Sequence, residues 1–301
     1  MDRRPFLKNL SLGASLSLLS SNQLFSGIYS NENFELNYAP HLGMFENSAG
    51  SDIMDQIYFM SDMGFKSFED NTMKSRNLST QNKISKALQN KEMSMGVFVA
   101  HRIYWDKPNL TSGDRGYQEE FLKDIKDSVE VAKRVNAKWM TVVPGLLDQR
   151  KNLSYQTANV IETLKKASDI LEPHNLVMVL EPLNFRDHPG LFLSRSPQAY
   201  QICKSVNSPS CKILFDIYHQ QIQEGNLIPN IESCWDQIGY FQIGDNPGRK
   251  EPLTGEINYR NVFKFIKDQN YTGILGMEHG NSIPGIEGEK ALIEAYRAVD
   301  S

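Results

Sequence analysis

Residues 176–184 read Leu-Val-Met-Val-Leu-Glu-Pro-Leu-Asn, five apolar residues that run into a carboxylate and are stopped by a proline. Such a run suits a strand buried on both faces, and a carboxylate at its end is costly unless something pairs with it. The same design returns three times. Ile213-Leu214-Phe215 leads to Asp216, residues 238–241 lead to Gln242, and residues 274–277 lead to Glu278. Each of the four short buried runs delivers one oxygen donor at its tip. Three carboxylates and one amide oxygen suit a hard divalent cation.

The remaining segments alternate with these runs. Strands are expected at residues 34–40, 65–68, 95–100 and 139–143, ahead of the four already named. Apolar residues at helical spacing predict helices over 53–63, 79–90, 118–135, 155–171, 196–206, 227–234, 259–269 and 288–299. Polar loops are expected at 103–116 and 244–258. Eight strands alternating with helices imply a parallel sheet, and eight such units in a chain of 301 residues match a single-domain α/β (β/α)8 barrel, the TIM barrel. A doubly wound open sheet is the alternative, but it calls for a glycine-rich phosphate turn after an early strand. Residues 40–43 and 69–72 supply none. In a barrel, the C-terminal strand ends surround the mouth where chemistry is placed. Glu181, Asp216, Gln242 and Glu278 then share one arc of the rim, on the fifth to eighth strands.

The hydrophobic share of 40% is ordinary for a globular chain, and a net charge of −4 gives no footing for nucleic-acid binding. Cys203, Cys211 and Cys234 have no metal-type spacing and read as small core residues. The first thirty residues differ. Asp2-Arg3-Arg4-Pro5-Phe6-Leu7-Lys8 resembles a twin-arginine export signal, and the apolar stretch at 10–19 is too short for a stable bilayer anchor. The expected layout is a signal segment at residues 1–30, a barrel at 31–301, no stable membrane span, and a periplasmic location.

Several stretches together resemble the hydroxypyruvate isomerase family, within the xylose isomerase-like sugar isomerases and epimerases. They are Glu181-Pro182-Leu183-Asn184, Phe215-Asp216-Ile217-Tyr218-His219, Gln242-Ile243-Gly244-Asp245-Asn246-Pro247-Gly248-Arg249, Thr254-Gly255-Glu256-Ile257-Asn258-Tyr259 and Gly276-Met277-Glu278. The Asp-Asn-Pro-Gly-Arg and Gly-Glu-Ile-Asn-Tyr stretches point to the hydroxypyruvate isomerase branch, as does Gln242 where ketose epimerases usually carry a histidine. The resemblance implies one divalent ion, Mg²⁺ or Mn²⁺, held by Glu181, Asp216, Gln242 and Glu278, with Glu181 and Glu278 as the acid/base pair. By the same match His219 bonds a substrate hydroxyl, Arg249 grips a carboxylate, and Glu256 orients the Arg249 loop or meets the substrate. His101 and Trp105 form a wall or lid, and Glu69 either backs the site residues from behind or is simply a rim carboxylate. The segment 38–45, with His41, departs from the family's first-strand loop.

The implied activity is an aldose–ketose-type isomerisation of a small hydroxy-carbonyl compound through an enediolate. Three alternatives stand beside it. One is a sugar epimerase or isomerase acting on free or modified sugars outside the cytoplasm. Another is a non-catalytic sugar-binding barrel, which should have lost Glu181 or Glu278. The last is an abasic-site endonuclease, whose histidine-rich three-zinc cluster fits poorly with six histidines in all. Substrate identity and any homo-oligomer are left open by the sequence.

Overall fold

Side-chain alternation along the strands decides what faces the barrel axis. The computed structural model describes residues 33–300; the expected signal segment lies outside them. Eight strands follow in order: β1 Asn37–Pro40, β2 Ser67–Phe68, β3 Ser94–Met95, β4 Trp139–Val142, β5 Val177–Leu180, β6 Cys211–Asp216, β7 Ile238–Gln242 and β8 Ile274–Met277. Six of them form one sheet in the order β1-β8-β7-β6-β5-β4, and β2 pairs with β3. Every strand pairing is parallel. Single bridges join the two sheets, His41 with Glu69 on one side and Met95 with Ala137 and Val99 with Thr141 on the other. The strands thus run round a ring, as in a TIM barrel.

Ala39, Val97, Val179, Leu214, Tyr240 and Ile274 pack together inside this ring. Successive strand residues point to opposite faces. Two residues beyond Val179, Leu214 and Tyr240 therefore come Glu181, Asp216 and Gln242, on the same inward register. On β8 the inward series 274, 276, 278 ends at Glu278. Asp216 and Gln242 are paired across β6 and β7, and Gln242 and Gly276 across β7 and β8. The alternate residues, among them Met178, Leu180, Ile213 and Phe215, face outward into the larger core beneath the helices.

The helices are α1 Glu46–Ala49, α2 Ile53–Asp62, α3 Leu78–Asn90, α4 Arg115–Val135, α5 Leu153–Leu171, α6 Ser196–Val206, α7 Ile217–Gln223, α8 Leu227–Cys234, α9 Tyr259–Asp268 and α10 Gly285–Val299. Asp52, Asn77, Asp114, Asn152 and Asn258 start α2, α3, α4, α5 and α9, each side chain accepting from a first-turn N–H. On α4, Phe121, Ile125, Val129 and Ala132 form the buried stripe. No helix among the described residues is long and apolar enough to cross a membrane.

Two helices were not expected from the sequence, α1 and α7. The β3 strand is shorter than the 95–100 expected. At Gly96 a Cβ would lie 2.5 Å from the Tyr240 hydroxyl, so the backbone approaches that side chain closely. The path of β3 continues only as the single bridge at Val99. Cys203, Cys211 and Cys234 are all buried free thiols, as expected.

Candidate active site and metal centre

Asp216 does two jobs. It ends β6 and caps α7: Tyr218 and His219 donate their backbone N–H groups to its Oδ1, at 2.8 and 3.3 Å. Its Oδ2 accepts from Arg249 Nη2 at 2.7 Å. The same nitrogen donates to Glu278 Oε2 at 2.8 Å, and Arg249 Nε donates to the Glu278 carbonyl at 2.9 Å. One guanidinium therefore holds the β6 and β8 carboxylates together. Arg249 stands on a left-handed backbone, φ 51°, which is uncommon for a residue with a Cβ. The loop around it is fastened from within. Buried Asp245 accepts from the N–H groups of Asn246, Gly255 and Ile257. Its own N–H donates to the Lys250 carbonyl at 2.7 Å.

Glu181 and Asp216 are buried, whereas a quarter of the Glu278 side chain opens to the mouth. Burial, then the charges of Glu278 and Asp216, push the Glu181 carboxyl well above the usual carboxylate range. Burial raises Glu278 too, against the pull of Arg249. Burial opposes the charge on Arg249, but Asp216, Glu278 and Glu181 hold it protonated. A site with more carboxylates than nearby positive charges favours a further cation.

His219 is oriented by a chain of hydrogen bonds. Asn184 Oδ1 accepts from the backbone of Arg186 and Asp187, so its amide nitrogen faces the other way. That nitrogen donates to Asp187 Oδ2 at 2.9 Å and to His219 Nδ1 at 2.6 Å. With Nδ1 accepting, the proton of the neutral ring sits on Nε2. Burial lowers the ring's pKa to about 4, so it is neutral at pH 7. Nε2 lies 3.5 Å from Asp216 Oδ2 and 3.9 Å from Glu181 Oε1. Glu181, Asp216 and His219 offer atoms within 4.8 Å of one another, a spacing that could hold a metal. A protonated Nε2 is a donor rather than a ligand, however, and this tautomer presents an N–H beside Asp216 and Glu181. The amide of Gln242 is a further candidate donor. Its nitrogen is engaged by Glu69 at 2.7 Å, and its oxygen is buried without a partner. A buried amide oxygen left open, on a strand end paired with that of Asp216, suits a divalent cation.

The other expected residues take different places. His101 is buried, with Nδ1 donating to the Arg102 carbonyl at 2.9 Å and Nε2 accepting from the Val143 N–H at 3.2 Å. Both nitrogens serve the backbone, so His101 ties β4 to the chain after β3 and has no polar atom left for a substrate. Glu256 is exposed and accepts from Asn246 Nδ2 and Gln221 Nε2, at 2.7 and 3.1 Å; it orients the Arg249 loop from outside. Trp105, half exposed, stacks on His188 at 5.1 Å, and His188 packs against His219 at 5.4 Å. This makes a wall above the mouth, built by Trp105 with His188 and without His101. His188 and Asn71 carried no sequence signal beyond lying near strand ends. Asn71 Nδ2 donates to Glu278 Oε1 at 2.8 Å and fixes that carboxylate from the β2 side.

Known proteins share this fold. The profile described as xylose isomerase-like TIM barrel matches residues 57–299. Hydroxypyruvate isomerase of Escherichia coli K12 is 34% identical over 194 residues, covering 61% of this chain and 75% of that protein. The 2-oxo-tetronate isomerase of Cupriavidus necator is 32% identical over 164 residues, covering 54% of this chain and 63% of its own length. Among solved structures, 3-keto-D-glucoside 4-epimerase from E. coli superposes with a TM-score of 0.71 at 19% identity, covering 88% of this chain and 99% of that one, a likeness of fold. The chain belongs to the xylose isomerase-like TIM barrel family, in its hydroxypyruvate isomerase branch.

Proposed function

We propose that the protein is an isomerase that moves the carbonyl of a small hydroxy-carbonyl acid, of the hydroxypyruvate or 2-oxo-tetronate kind, to the neighbouring carbon. What carries the reading is the pair Glu181 and Glu278, on inward positions at the ends of β5 and β8, with Asp216 and the open Gln242 oxygen on the two strands between. The names of the matched relatives support the same reaction class.

The reaction breaks a C–H bond at the hydroxyl-bearing carbon and forms one at the former carbonyl carbon. A hydroxyl proton passes between the two oxygens. A divalent cation bound by Glu181, Asp216, Gln242 and Glu278 would polarise the carbonyl and stabilise the charge that develops on its oxygen. Glu181 or Glu278 takes the carbon-bound proton, leaving an enediolate, and the other returns a proton at the adjacent carbon. The Nε2–H of His219 bonds a substrate oxygen and keeps it oriented. Arg249 holds Asp216 and Glu278 in register, and its charge favours an anionic substrate. The Trp105–His188 wall narrows access by water from the side of β3 and β5.

The test is metal-replete protein assayed with Mg²⁺ and with Mn²⁺ against hydroxypyruvate, 2-oxo-tetronates and free ketoses. Turnover of the acids supports the proposal. Turnover of sugars alone replaces it with an epimerase or isomerase of free sugars on the same two glutamates. No turnover of any of them removes it.

We also read residues 1–30 as a twin-arginine-type export signal, from Arg3-Arg4 ahead of Phe6-Leu7-Lys8. Replacing both arginines by lysine should keep the protein in the cytoplasm. Unmodified protein found in the cytoplasmic fraction would count against export.

A further inference from the structure

Glu69, just past β2, is fully buried although it plays no part in the proton transfer. It is held from several directions. Tyr240 donates its hydroxyl to Oε2 at 2.5 Å, and Gln242 Nε2 donates to Oε1 at 2.7 Å. His41 Nε2 also lies 2.7 Å from Oε1. The barrel is shaped to receive this group. A Cβ on Gly276 would collide with Glu69 Oε2, and one on Gly96 would press on the Tyr240 hydroxyl at 2.5 Å and on the Glu69 Cβ at 3.3 Å. Two glycines, one on β8 and one just past β3, thus make room for one buried carboxylate and its phenol.

An amide has two ends, and little in its shape says which of them should face the site. An ionised carboxylate accepts hydrogen bonds and donates none. Placed behind Gln242, it can engage only the amide nitrogen, and the oxygen must turn the other way. That oxygen is the buried atom without a partner. A neutral acceptor–donor group behind Gln242 would permit either orientation, and half of them would present N–H₂ to a cation.

We propose that Glu69 is a positioning residue: by accepting from Gln242 Nε2 it fixes Gln242 Oε1 toward Glu181, Asp216 and Glu278 as a ready-made ligand for a divalent cation. The inference rests on the metal site of the proposed function and adds the device that decides its fourth donor. Outer groups of this kind orient ligands and affect affinity by about 10- to 100-fold.

The experiment is a double-mutant cycle on Mn²⁺ binding, followed by the EPR signal of free Mn²⁺ with the metal-free, folded protein. Glu69→Asp keeps the charge but retracts the carboxylate from Gln242. It should weaken Mn²⁺ binding about tenfold or more in the native background, and less than about twofold when combined with Gln242→Ala, because its action passes through that amide. An equal loss in both backgrounds would mean that Glu69 acts by charge or by general support of the fold, and would overturn the proposal. So would native affinity in Glu69→Asp, or in Gln242→Ala alone. If circular dichroism shows Glu69→Asp unfolded, Glu69→Gln, which keeps the shape of the socket, takes its place in the same cycle. The criterion is then a loss about tenfold larger in the native background than in the Gln242→Ala one. Absence of Mn²⁺ binding by the native protein is a separate outcome, and it would defeat the metal site itself.

Discussion

At the scale of single residues, the site is a set of orientations imposed by partners that can only accept or only donate. Asn184 sets the tautomer of His219, and Arg249 sets the spacing of Asp216 and Glu278. Asp216 offers a clean test, because asparagine caps helices as well as aspartate does. In Asp216→Asn, the side-chain oxygen can still receive the N–H groups of Tyr218 and His219, so α7 should stay in place while one negative ligand is lost. Metal affinity should fall by at least the 10- to 100-fold scale on which even outer-shell partners act, roughly. The thermal midpoint of the metal-free protein should fall, because the asparagine N–H₂ faces Arg249 Nη2 where Oδ2 accepted from it. Unchanged metal content in this variant would exclude Asp216 as a ligand. The strand-end positions of the four proposed donors were legible in the sequence because each closes an apolar run, and alternation carries that inward position to the rim. The role of Arg249 was legible only as a cation on the right loop. Its actual partners depend on a left-handed backbone and a buried Asp245, which local sequence does not display.

At the scale of elements, strands and long helices follow their local patterns, and the departures have distant causes. The short α1 lacks a side-chain cap of its own. Buried Glu289, on α10, supplies it. Its Oε1 accepts from the N–H of Asn47 at 2.7 Å, its Oε2 from that of Ser48 at 2.8 Å, and the side chains of both residues donate to it as well. A cap that arrives from the far end of the chain cannot be read in residues 46–49. Glu289→Ala should leave the two buried Ser48 donors unpaired, at about 1–3 kcal/mol each as an upper scale, while those of exposed Asn47 can turn to water. The expected result is an early rise in hydrogen exchange across residues 43–50 and a lowered midpoint in denaturant. Exchange there that matches the native protein would show that α1 does not depend on Glu289. The α7 helix was missed for a related reason. It begins on the residue that ends β6, so Asp216 serves both elements and leaves no loop between them.

At the scale of the whole molecule, barrel closure brings strand ends from all parts of the chain to one rim, and it also buries histidines that hold no charge. Burial lowers His101 to about 4, from an ordinary 6.5. A group whose folded pKa is depressed contributes stability that is fully present above its unfolded value and is lost as the pH falls toward its folded one. For His101 that window runs from about 6.5 down to about 4. Glu181, pushed upward by burial and its neighbours, acts with the opposite sign, so the histidine is best isolated by difference. His101→Gln keeps one donor and one acceptor for Arg102 and Val143. Its denaturation midpoint should fall less between pH 7 and pH 4.5 than that of the native protein. Parallel losses would show that His101 does not carry this part of the acid sensitivity. The barrel itself was foreseeable from eight alternating units. Its closure through single bridges at His41, Val99 and Ala137 was not, since β2 and β3 pair over only two residues.

On the proposed mechanism, Glu181 and Glu278 pass a proton between adjacent carbons. The direct measurement is proton NMR of product formed in D₂O, at early conversion and saturating metal, with hydroxypyruvate as substrate. Solvent deuterium should appear at the carbon that was the carbonyl. Either Glu181→Gln or Glu278→Gln should slow product formation by about 10²–10⁴-fold, the usual worth of a general acid or base. Product that forms at the native rate and carries no solvent deuterium would mean that hydrogen moves directly between the carbons, and the two-glutamate account would be wrong.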